Sequence, residues 1–372
     1  IARFAKANNF KELYVPEINV REAALIDGIK IFGVPNLKSL TEHLSGEKLL
    51  KPAELTILER ELTESVIDFA DVRSQERAKR GLLIAAAGGH NCAMYGPPGT
   101  GKTMLAKAFT GILPELNFEE ALEATSIHSV AGILQGTFVT NPPFRAPHHT
   151  ASYVSLVGGG AIPRPGEITL AHRGVLFMDE FPEFERRVIE SLRQPLEDKV
   201  ISVSRAKGTV HFPANVMLVA AMNPCPCGNY GFRGKACVCT PSGLARYRRK
   251  MSGPIMDRID IWLEVDRVLP HELGSEVAEG EKSDLFRKKV SKARKIQEAR
   301  FKNKKDLSKN AEMSARDLVQ YVRLEKEAEK MLNLAAERLG FSPRDYNRMI
   351  KVARTIADLD NTEQILQKHL AE

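Results

Sequence analysis

The chain lacks any apolar run long enough to cross a membrane. Its 372 residues contain no continuous apolar stretch of about 18 residues, the length that indicates a transmembrane helix. Internal repeats and low-complexity segments are absent, and no signal peptide opens the chain, although a truncated beginning could hide one. With 43% hydrophobic residues, the sequence predicts a cytoplasmic globular protein of two or three domains that binds no membrane.

A strong overall charge is lacking as well. The net charge of +7 is modest for this length, and it is compatible with an anionic partner without requiring one. The charge is unevenly distributed, because ten residues between 287 and 305 are Lys or Arg and only Glu298 is acidic. This run is either a solvated helix face or a contact surface for nucleic acid. The acidic stretch at 271–284 is typical of a linker.

Cysteines are few, and four of the five are clustered. Cys92 stands alone in an apolar segment and is expected in the core. The other four form two Cys-x-Cys pairs, Cys225 with Cys227 and Cys237 with Cys239. Four thiolates can close a tetrahedral zinc site, although the spacing within each pair is shorter than usual. Structural zinc is therefore favoured, free thiols are the alternative, and disulfides are disfavoured in a reducing cytosol.

Eight consecutive residues fill every position of the phosphate-binding pattern G-x-x-x-x-G-K-[ST]. A strand is predicted at 91–95 before the loop and a helix at 104–109 after it, which is the context this motif requires. The glycines allow backbone N–H groups to cradle phosphates, while the lysine reaches the β and γ phosphates and the threonine hydroxyl binds Mg²⁺. The loop therefore predicts a site for ATP and Mg²⁺, formed by Gly96, Pro97, Pro98, Gly99, Thr100, Gly101, Lys102 and Thr103.

Polar residues follow two further apolar runs. Asp179 and Glu180 come directly after residues 174–178, which are typical of a buried parallel strand. Asn223 follows the next apolar run, 215–222, in a position where a residue can act as a sensor of the γ-phosphate. Because the carboxyl ends of parallel strands meet at one edge, we expect Asp179 to bind Mg²⁺, Glu180 to act as general base, and Asn223 to orient the attacking water. The alternatives are a core strand that meets a charged loop, and a turn-forming Asn before Pro224.

Further motifs are spread over nearly the whole chain. They lie at 147–150, 156–160, 163–168, 170–174, 220–228, 252–260 and 352–359. Together these segments resemble the magnesium-chelatase-like AAA+ ATPases of the ComM/YifB type, and the Pro-His-His-Thr and Asn-Pro-Cys-Pro-Cys-Gly stretches separate that family from other AAA+ proteins. The adjacent His148 and His149 would face opposite sides of a strand, so they are interpreted as structural.

The resemblance implies an α/β fold. Its AAA+ P-loop NTPase core would be a parallel sheet flanked by helices, with a C-terminal helical lid. Residues 1–48 would be the remnant of an N-terminal Lon-protease-like domain, 49–268 the AAA+ core and 269–372 the lid. The chain is accordingly expected to be a fragment. Within the lid, Ser342 and Pro343 predict the start of a helix.

Two arginines gain roles from the same resemblance. Arg258 would reach across to the nucleotide of a neighbouring subunit, and Arg344 would read the γ-phosphate of its own chain. A solvated surface residue is the alternative for Arg344. The assembly implied is a homo-oligomeric ring, expected to be a hexamer.

The function implied is ATP hydrolysis coupled to remodelling of single-stranded or branched DNA, as in a helicase that drives branch migration in natural transformation. Segments 200–203 and 209–212 predict a β-hairpin. Its tip carries Arg205 and Lys207, which would grip phosphates without reading bases; a solvated turn is the alternative. Two other functions remain open: a chelatase-like subunit that remodels a protein partner without DNA, and an ATP-gated scaffold with negligible turnover.

Overall fold

The computed structural model describes residues 1–56, 67–134, 136, 138–160, 163–205, 208–232, 235–251, 253–268, 281–304 and 307–372. The α-helices in these residues are α1 (Ala2–Ala7), α2 (Val20–Ala23), α3 (Leu37–Ser45), α4 (Glu76–Gly88), α5 (Lys102–Gly111), α6 (Phe118–Ala131), α7 (Tyr153–Val157), α8 (Glu167–Leu170), α9 (Arg186–Ser191), α10 (Arg193–Asp198), α11 (Pro241–Lys250), α12 (Gly253–Met256), α13 (Ser283–Phe301), α14 (Ala315–Tyr321), α15 (Lys326–Leu339), α16 (Pro343–Leu359) and α17 (Gln367–Ala371). None of these described helices is both long and apolar enough to cross a membrane.

The strands in the same residues are β1 (Glu12–Pro16), β2 (Lys30–Val34), β3 (Cys92–Tyr95), β4 (Phe144–Arg145), β5 (Gly158–Gly159), β6 (Arg164–Pro165), β7 (Val175–Met178), β8 (Val200–Arg205), β9 (Gly208–Pro213), β10 (Met217–Met222) and β11 (Ile261–Glu264). Short 3₁₀ helices cover Glu17–Asn19, Phe69–Asp71, Phe181–Glu183 and Asn310–Glu312.

A small unit combines Ile1–Leu62 with Asn117–Thr140. It contains a two-stranded parallel sheet in which β1 pairs with β2. Its apolar core includes Val15 and Ile31 from the two strands and Leu122 from α6. The boundary at residue 48, drawn from the sequence for an N-terminal remnant, stays a prediction.

The larger unit, Thr63–Leu116 with Asn141–Glu372, is built on a five-stranded sheet in the order β11-β3-β10-β7-β4. All the pairings in this sheet are parallel. Strands β7 and β10 are buried along their whole length, as expected for strands covered by helices on both faces. The predicted α/β fold with a parallel sheet flanked by helices is confirmed.

Alternate residues of the central strands enter two separate apolar clusters, because successive strand side chains point to opposite faces. Cys92 and Val219 lie on one face, in a cluster that includes residues of α4, α5 and α13. Ala93 and Leu218 lie on the other face, in a cluster that includes residues of α9 and β8. The sheet is thereby fixed between two helical layers, and its polar strand ends are left at the edges.

The C-terminal helices have an apolar cluster of their own, which includes Leu318 of α14 and Ile350 of α16. Helix α16 begins as predicted, with Pro343 as its first residue. The Ser342 hydroxyl accepts a hydrogen bond of 3.2 Å from the backbone N–H of Asp345, the arrangement that caps a helix start.

The basic run of the sequence lies largely on α13, and several of its arginines point to protein rather than to solvent. Arg287 donates two hydrogen bonds, of 2.9 and 2.8 Å, to the carbonyl oxygen of Gly111, the last residue of α5. Arg294 donates to the carbonyl oxygens of Ala86 and Ala87 in the last turn of α4. The last carbonyl groups of a helix lack partners within it, so these arginines attach α13 to the core.

His90 connects the central sheet to helix α16. Its side chain is fully buried, with Nδ1 lying 3.2 Å from Oδ2 of Asp260 and Nε2 lying 2.8 Å from Oγ1 of Thr355. The Thr355 hydroxyl donates to the carbonyl oxygen of Lys351 at 2.9 Å, so it accepts from His90. One imidazole therefore satisfies polar groups on two packed elements.

Replacement of His90 by alanine should lower the free energy of unfolding by roughly 2–4 kcal/mol, because it leaves a cavity and removes two buried hydrogen-bonding contacts. His211→Ala is the matched control, since His211 is exposed on β9 and its loss should change stability by less than about 0.5 kcal/mol. Urea unfolding followed by circular dichroism measures both. Equal midpoints for the two variants would contradict the linking role of His90.

Candidate nucleotide site

The phosphate loop joins β3 to α5, the context that the sequence predicted. Gly99 and Gly101 have φ angles of 77° and 87°, in the left-handed region that favours glycine. Gly96 passes so close to the residue after β11 that a Cβ atom there would lie 2.0 Å from the carbonyl oxygen of Val265. The glycines are thus required by backbone conformation and by close packing.

Lys102 lies inside the loop. Its Nζ donates hydrogen bonds of 2.8 Å to the carbonyl oxygens of Gly96 and Pro97, and one of 3.3 Å to Oδ1 of Asn223. Burial lowers the pKa of Lys102, and the nearby carboxylate of Asp179 acts in the opposite direction. The structure therefore brings together the loop lysine and the predicted sensor, which follow neighbouring strands.

Thr103 and Asp179 meet at the same edge of the sheet. The Thr103 hydroxyl donates a hydrogen bond of 2.7 Å to Oδ2 of Asp179, while Oδ1 accepts one of 2.9 Å from the backbone N–H of Glu180. A hydroxyl and a carboxylate are ligands that Mg²⁺ accepts in phosphate sites. This pair could hold the metal.

Glu180 lies one residue beyond Asp179 in an unusual backbone conformation. Its φ and ψ angles are 50° and 42°, which is rare for a residue other than glycine and is often found at functional sites. Its Oε2 lies 3.0 Å from Nδ1 of His149. The carboxylate is therefore held by a side chain from a distant part of the sequence.

Sequence reasoning missed the contact of His149. The adjacent histidines were expected to face opposite sides of a strand, but residues 146–150 form no strand. Their rings pack together with centroids 4.2 Å apart, and Nδ1 of His148 lies 2.8 Å from the hydroxyl of Thr150. Only the unusual pairing of two histidines could have indicated a role at the site.

Arg258 and Arg344 come together at a different place. The Arg258 guanidinium contacts the carboxylate of Glu197 and the carbonyl oxygen of Pro254. Arg344 Nη2 lies 3.9 Å from the other carboxylate oxygen of Glu197. The hydrogen bond from Arg258 lowers the pKa of Glu197, and the charge of Arg344 acts in the same direction. Glu197 is a further residue that sequence reasoning missed.

This arginine cleft lies at the opposite edge of the sheet from the phosphate loop. Arg173 precedes β7 and lines the cleft with Arg258 and Arg344, whereas Asp179 follows β7. A four-residue strand spans about 13 Å. The structure therefore does not bring Arg344 to the nucleotide loop of its own chain, which was the expectation from the sequence.

The start of α16 explains the position of Arg344. One turn further on, Arg348 donates hydrogen bonds of 3.2 and 3.0 Å to the carbonyl oxygens of Asp257 and Ile259. These residues lie just before β11, so the helix start is attached to the amino-terminal edge of the sheet.

The four clustered cysteines form a compact group of sulfur atoms. Sγ of Cys225 lies 3.4 Å from that of Cys227 and 3.8 Å from that of Cys237, and the Cys227–Cys237 distance is 3.6 Å. With Cys239, all four sulfurs lie within 4.8 Å of one another. Tetrahedral zinc with Zn–S bonds of about 2.3 Å requires S···S distances of about 3.8 Å. The cluster is compatible with a structural metal.

The hairpin predicted between the second and third strands is present as β8 and β9, paired antiparallel from Val200↔Pro213 to Arg205↔Gly208. The side chain of Arg205 and the whole of Lys207 lie outside the described residues. Their contact with DNA stays a prediction.

Comparisons with known proteins agree with this geometry. The family model for magnesium chelatase, subunit ChlI, matches residues 68–273, and the model for the C-terminal part of that subunit matches residues 280–372. The YifB protein of Escherichia coli is 43% identical over 365 residues, covering 97% of this chain and 70% of the relative. Competence protein ComM of Haemophilus influenzae is 42% identical over 382 residues, covering 100% of this chain and 72% of the relative.

A more distant relative is the 38 kDa subunit of magnesium chelatase from Rhodobacter capsulatus. It is 27% identical over 180 residues, which cover 44% of this chain and 51% of that protein. From the two family matches and the near-complete similarity to ComM and YifB, it follows that the chain belongs to the magnesium-chelatase-like AAA+ family.

Proposed function

We propose that the protein hydrolyses ATP with Mg²⁺. The observation that carries this proposal is the meeting of Lys102, Thr103, Asp179, Glu180 and Asn223 at one edge of the parallel sheet. Phosphoryl transfer to water requires a positive charge near the phosphates, a metal ion and a group that activates the water. Lys102 would supply the charge, Thr103 and Asp179 would hold the metal, and Glu180 would act as the base.

Within this site, Glu180 acts as general base and His149 positions its carboxylate through the contact at 3.0 Å. Asn223 orients the water, because its amide is placed beside the Lys102 ammonium, which would contact the phosphates of bound ATP.

The active assembly we propose is a ring, expected to be a hexamer. Arg258 and Arg344 lie at the sheet edge opposite to their own phosphate loop, so they would reach the nucleotide of a neighbouring subunit. The Arg258 guanidinium is held at this edge by the carboxylate of Glu197 and the carbonyl oxygen of Pro254, and a guanidinium suits a γ-phosphate supplied across an interface.

DNA remodelling, as helicase or branch-migration activity, is the function we propose for the ring. One relative that is similar over the whole chain is named as a competence protein. The β8–β9 hairpin lies in the chain between β7, which precedes Asp179 and Glu180, and β10, which precedes Asn223, so nucleotide state could move it. Arg287 and Arg294 contact helix ends, which favours the hairpin tip over α13 as the DNA contact. The distant chelatase relative supports the alternative, a subunit that acts on a protein partner without DNA.

The four-cysteine cluster is proposed to bind one structural Zn²⁺, since its sulfur spacing fits a tetrahedral site. We also keep as proposals a cytoplasmic location and the division into a remnant of a Lon-protease-like domain at 1–48, an ATPase core at 49–268 and a lid at 269–372.

Loss of Lys102 and loss of Glu180 should have different effects. Lys102→Ala should weaken ATP binding by about 100-fold or more, because charge-assisted contacts to the phosphates are lost. Glu180→Gln should bind ATP normally while turnover falls by about 10²–10⁴. Lys107→Ala, an exposed lysine on the same helix, is the control for binding. Parent turnover in Glu180→Gln would remove Glu180 from the role of base.

Mixtures of inactive variants test the placement of the arginines. Arg258→Ala mixed with Lys102→Ala should recover part of the ATPase rate, because some interfaces then combine an intact loop with an intact arginine. Arg344→Ala mixed with Lys102→Ala should do the same. The mixture of Lys102→Ala with Glu180→Gln is the control. It should recover no activity, since every subunit then has a defect beside its own phosphate loop. Native mass spectrometry should first show that the rings contain both variants. If such a mixed ring recovers no ATPase activity, the arginine replaced in it does not act on the nucleotide of a neighbouring subunit.

Forked or single-stranded DNA should stimulate the ATPase rate more than duplex DNA does. Replacing both Arg205 and Lys207 by alanine should keep the basal rate, remove the stimulation and lower the salt slope of DNA binding by up to about two units. The matched variant replaces Lys292 and Lys295, two exposed lysines of α13. If only that variant loses stimulation, DNA contacts α13. If DNA stimulates none of these proteins, the proposed DNA remodelling is wrong, and the alternative of a chelatase-like subunit that acts on a protein partner is favoured.

A further inference from the structure

The cysteine cluster begins directly beside the predicted sensor. Asn223 follows β10, and only Pro224 separates it from the first cysteine, Cys225. Proline fixes its own φ angle near −65°. Few backbone torsions therefore remain free between Cys225 and Asn223, and a movement of Cys225 should also move Asn223. The Asn223 carbonyl also accepts a hydrogen bond of 2.9 Å from the buried hydroxyl of Tyr247.

The segment between the two cysteine pairs lies against the phosphate loop. A Cβ atom at Gly228 would lie 2.4 Å from Cδ of Pro98. No larger residue fits there unless the loop shifts, and Gly228 also has a φ angle of 78°. The backbone that carries Cys225 and Cys227 therefore supports the phosphate loop from outside.

A third contact joins this segment to the strand at the edge of the sheet. Asn229 Oδ1 accepts a hydrogen bond of 2.9 Å from Nη2 of Arg267, which follows β11. The backbone N–H of Tyr230 donates to Sγ of Cys225 at 3.3 Å. The loop thus touches Asn223, Pro98 and Arg267, three points around the nucleotide site.

Four neighbouring sulfur atoms do not hold such a loop by themselves. Neutral thiols interact weakly, and thiolates at 3.4–3.8 Å repel one another. A divalent cation removes the repulsion and fixes the four cysteines in one arrangement, which is how structural zinc contributes folding energy.

We propose that Zn²⁺ at Cys225, Cys227, Cys237 and Cys239 sets the affinity of the nucleotide site through the contact of Gly228 with Pro98 and the link to Asn223. This proposal rests on the proposed binding of ATP. It makes nucleotide binding dependent on the metal, beyond a role of zinc in the stability of the loop alone.

Zinc removal is the first test. Protein purified without added zinc should contain about one zinc per chain by metal analysis. After removal with a chelator, mant-ATP should bind about tenfold more weakly, with the far-ultraviolet circular dichroism retained, and zinc addition should restore the affinity. Folded zinc-free protein with unchanged affinity overturns the proposal.

A pair of glycine variants separates the coupling from the metal. Gly228→Ala forces a Cβ atom against Pro98, so it should keep zinc and bind mant-ATP about tenfold more weakly. Gly231→Ala is the matched control, because Gly231 has a φ angle of 79° in the same segment and a Cβ atom there meets nothing within 4 Å. Its affinity should stay within about twofold.

The outcomes are distinguishable. If unmodified, zinc-loaded protein does not bind mant-ATP, the proposed ATPase function fails. If it binds, and Gly228→Ala and Gly231→Ala bind equally well, the coupling fails while the ATPase function stands. If Gly228→Ala does not fold, zinc removal decides alone. If folded protein contains no zinc and still binds nucleotide, the cysteines are free thiols and the proposal is overturned.

Discussion

All the described strands of the central sheet run in one direction, and this constraint divides the chemistry of the chain between two edges. Residues that follow strands, such as Asp179 and Asn223, are delivered to the phosphate loop. Residues that precede strands, such as Arg173, are delivered to the arginine cleft. Because a parallel sheet cannot exchange its two edges, residues that precede a strand and residues that follow it stay on opposite sides of the sheet, as Arg173 and Asp179 do around β7.

The sheet and one of its edges could be predicted because the signals are local. The pattern around Lys102, the apolar run before Asp179 and the capping residue Ser342 each depend on a few neighbouring residues. The placement of Arg344 could not be predicted in this way. It depends on where α16 packs, and Arg348 fixes that through carbonyl groups more than 80 residues earlier in the sequence.

Charge composition was a weak guide for a related reason. The run on α13 is as basic as a nucleic-acid surface, yet Arg287 and Arg294 satisfy the carbonyl groups that end α5 and α4. The carboxyl-terminal ends of helices carry partial negative charge, so basic side chains can be bound there within the protein instead of facing a partner. The contact of His149 could not be predicted for a different reason. A segment without regular structure has no periodicity from which to predict the direction of a side chain.

The left-handed backbone at Glu180 sets two selective pressures against each other. A residue with a side chain pays about 1 kcal/mol or more to hold φ near 50°, and glycine would avoid that strain. Selection for thermal stability alone would therefore replace this glutamate with glycine, whereas the proposed role as general base requires the carboxylate. Engineering of a more heat-resistant protein should leave this position untouched and accept the local strain as part of the proposed ATPase site.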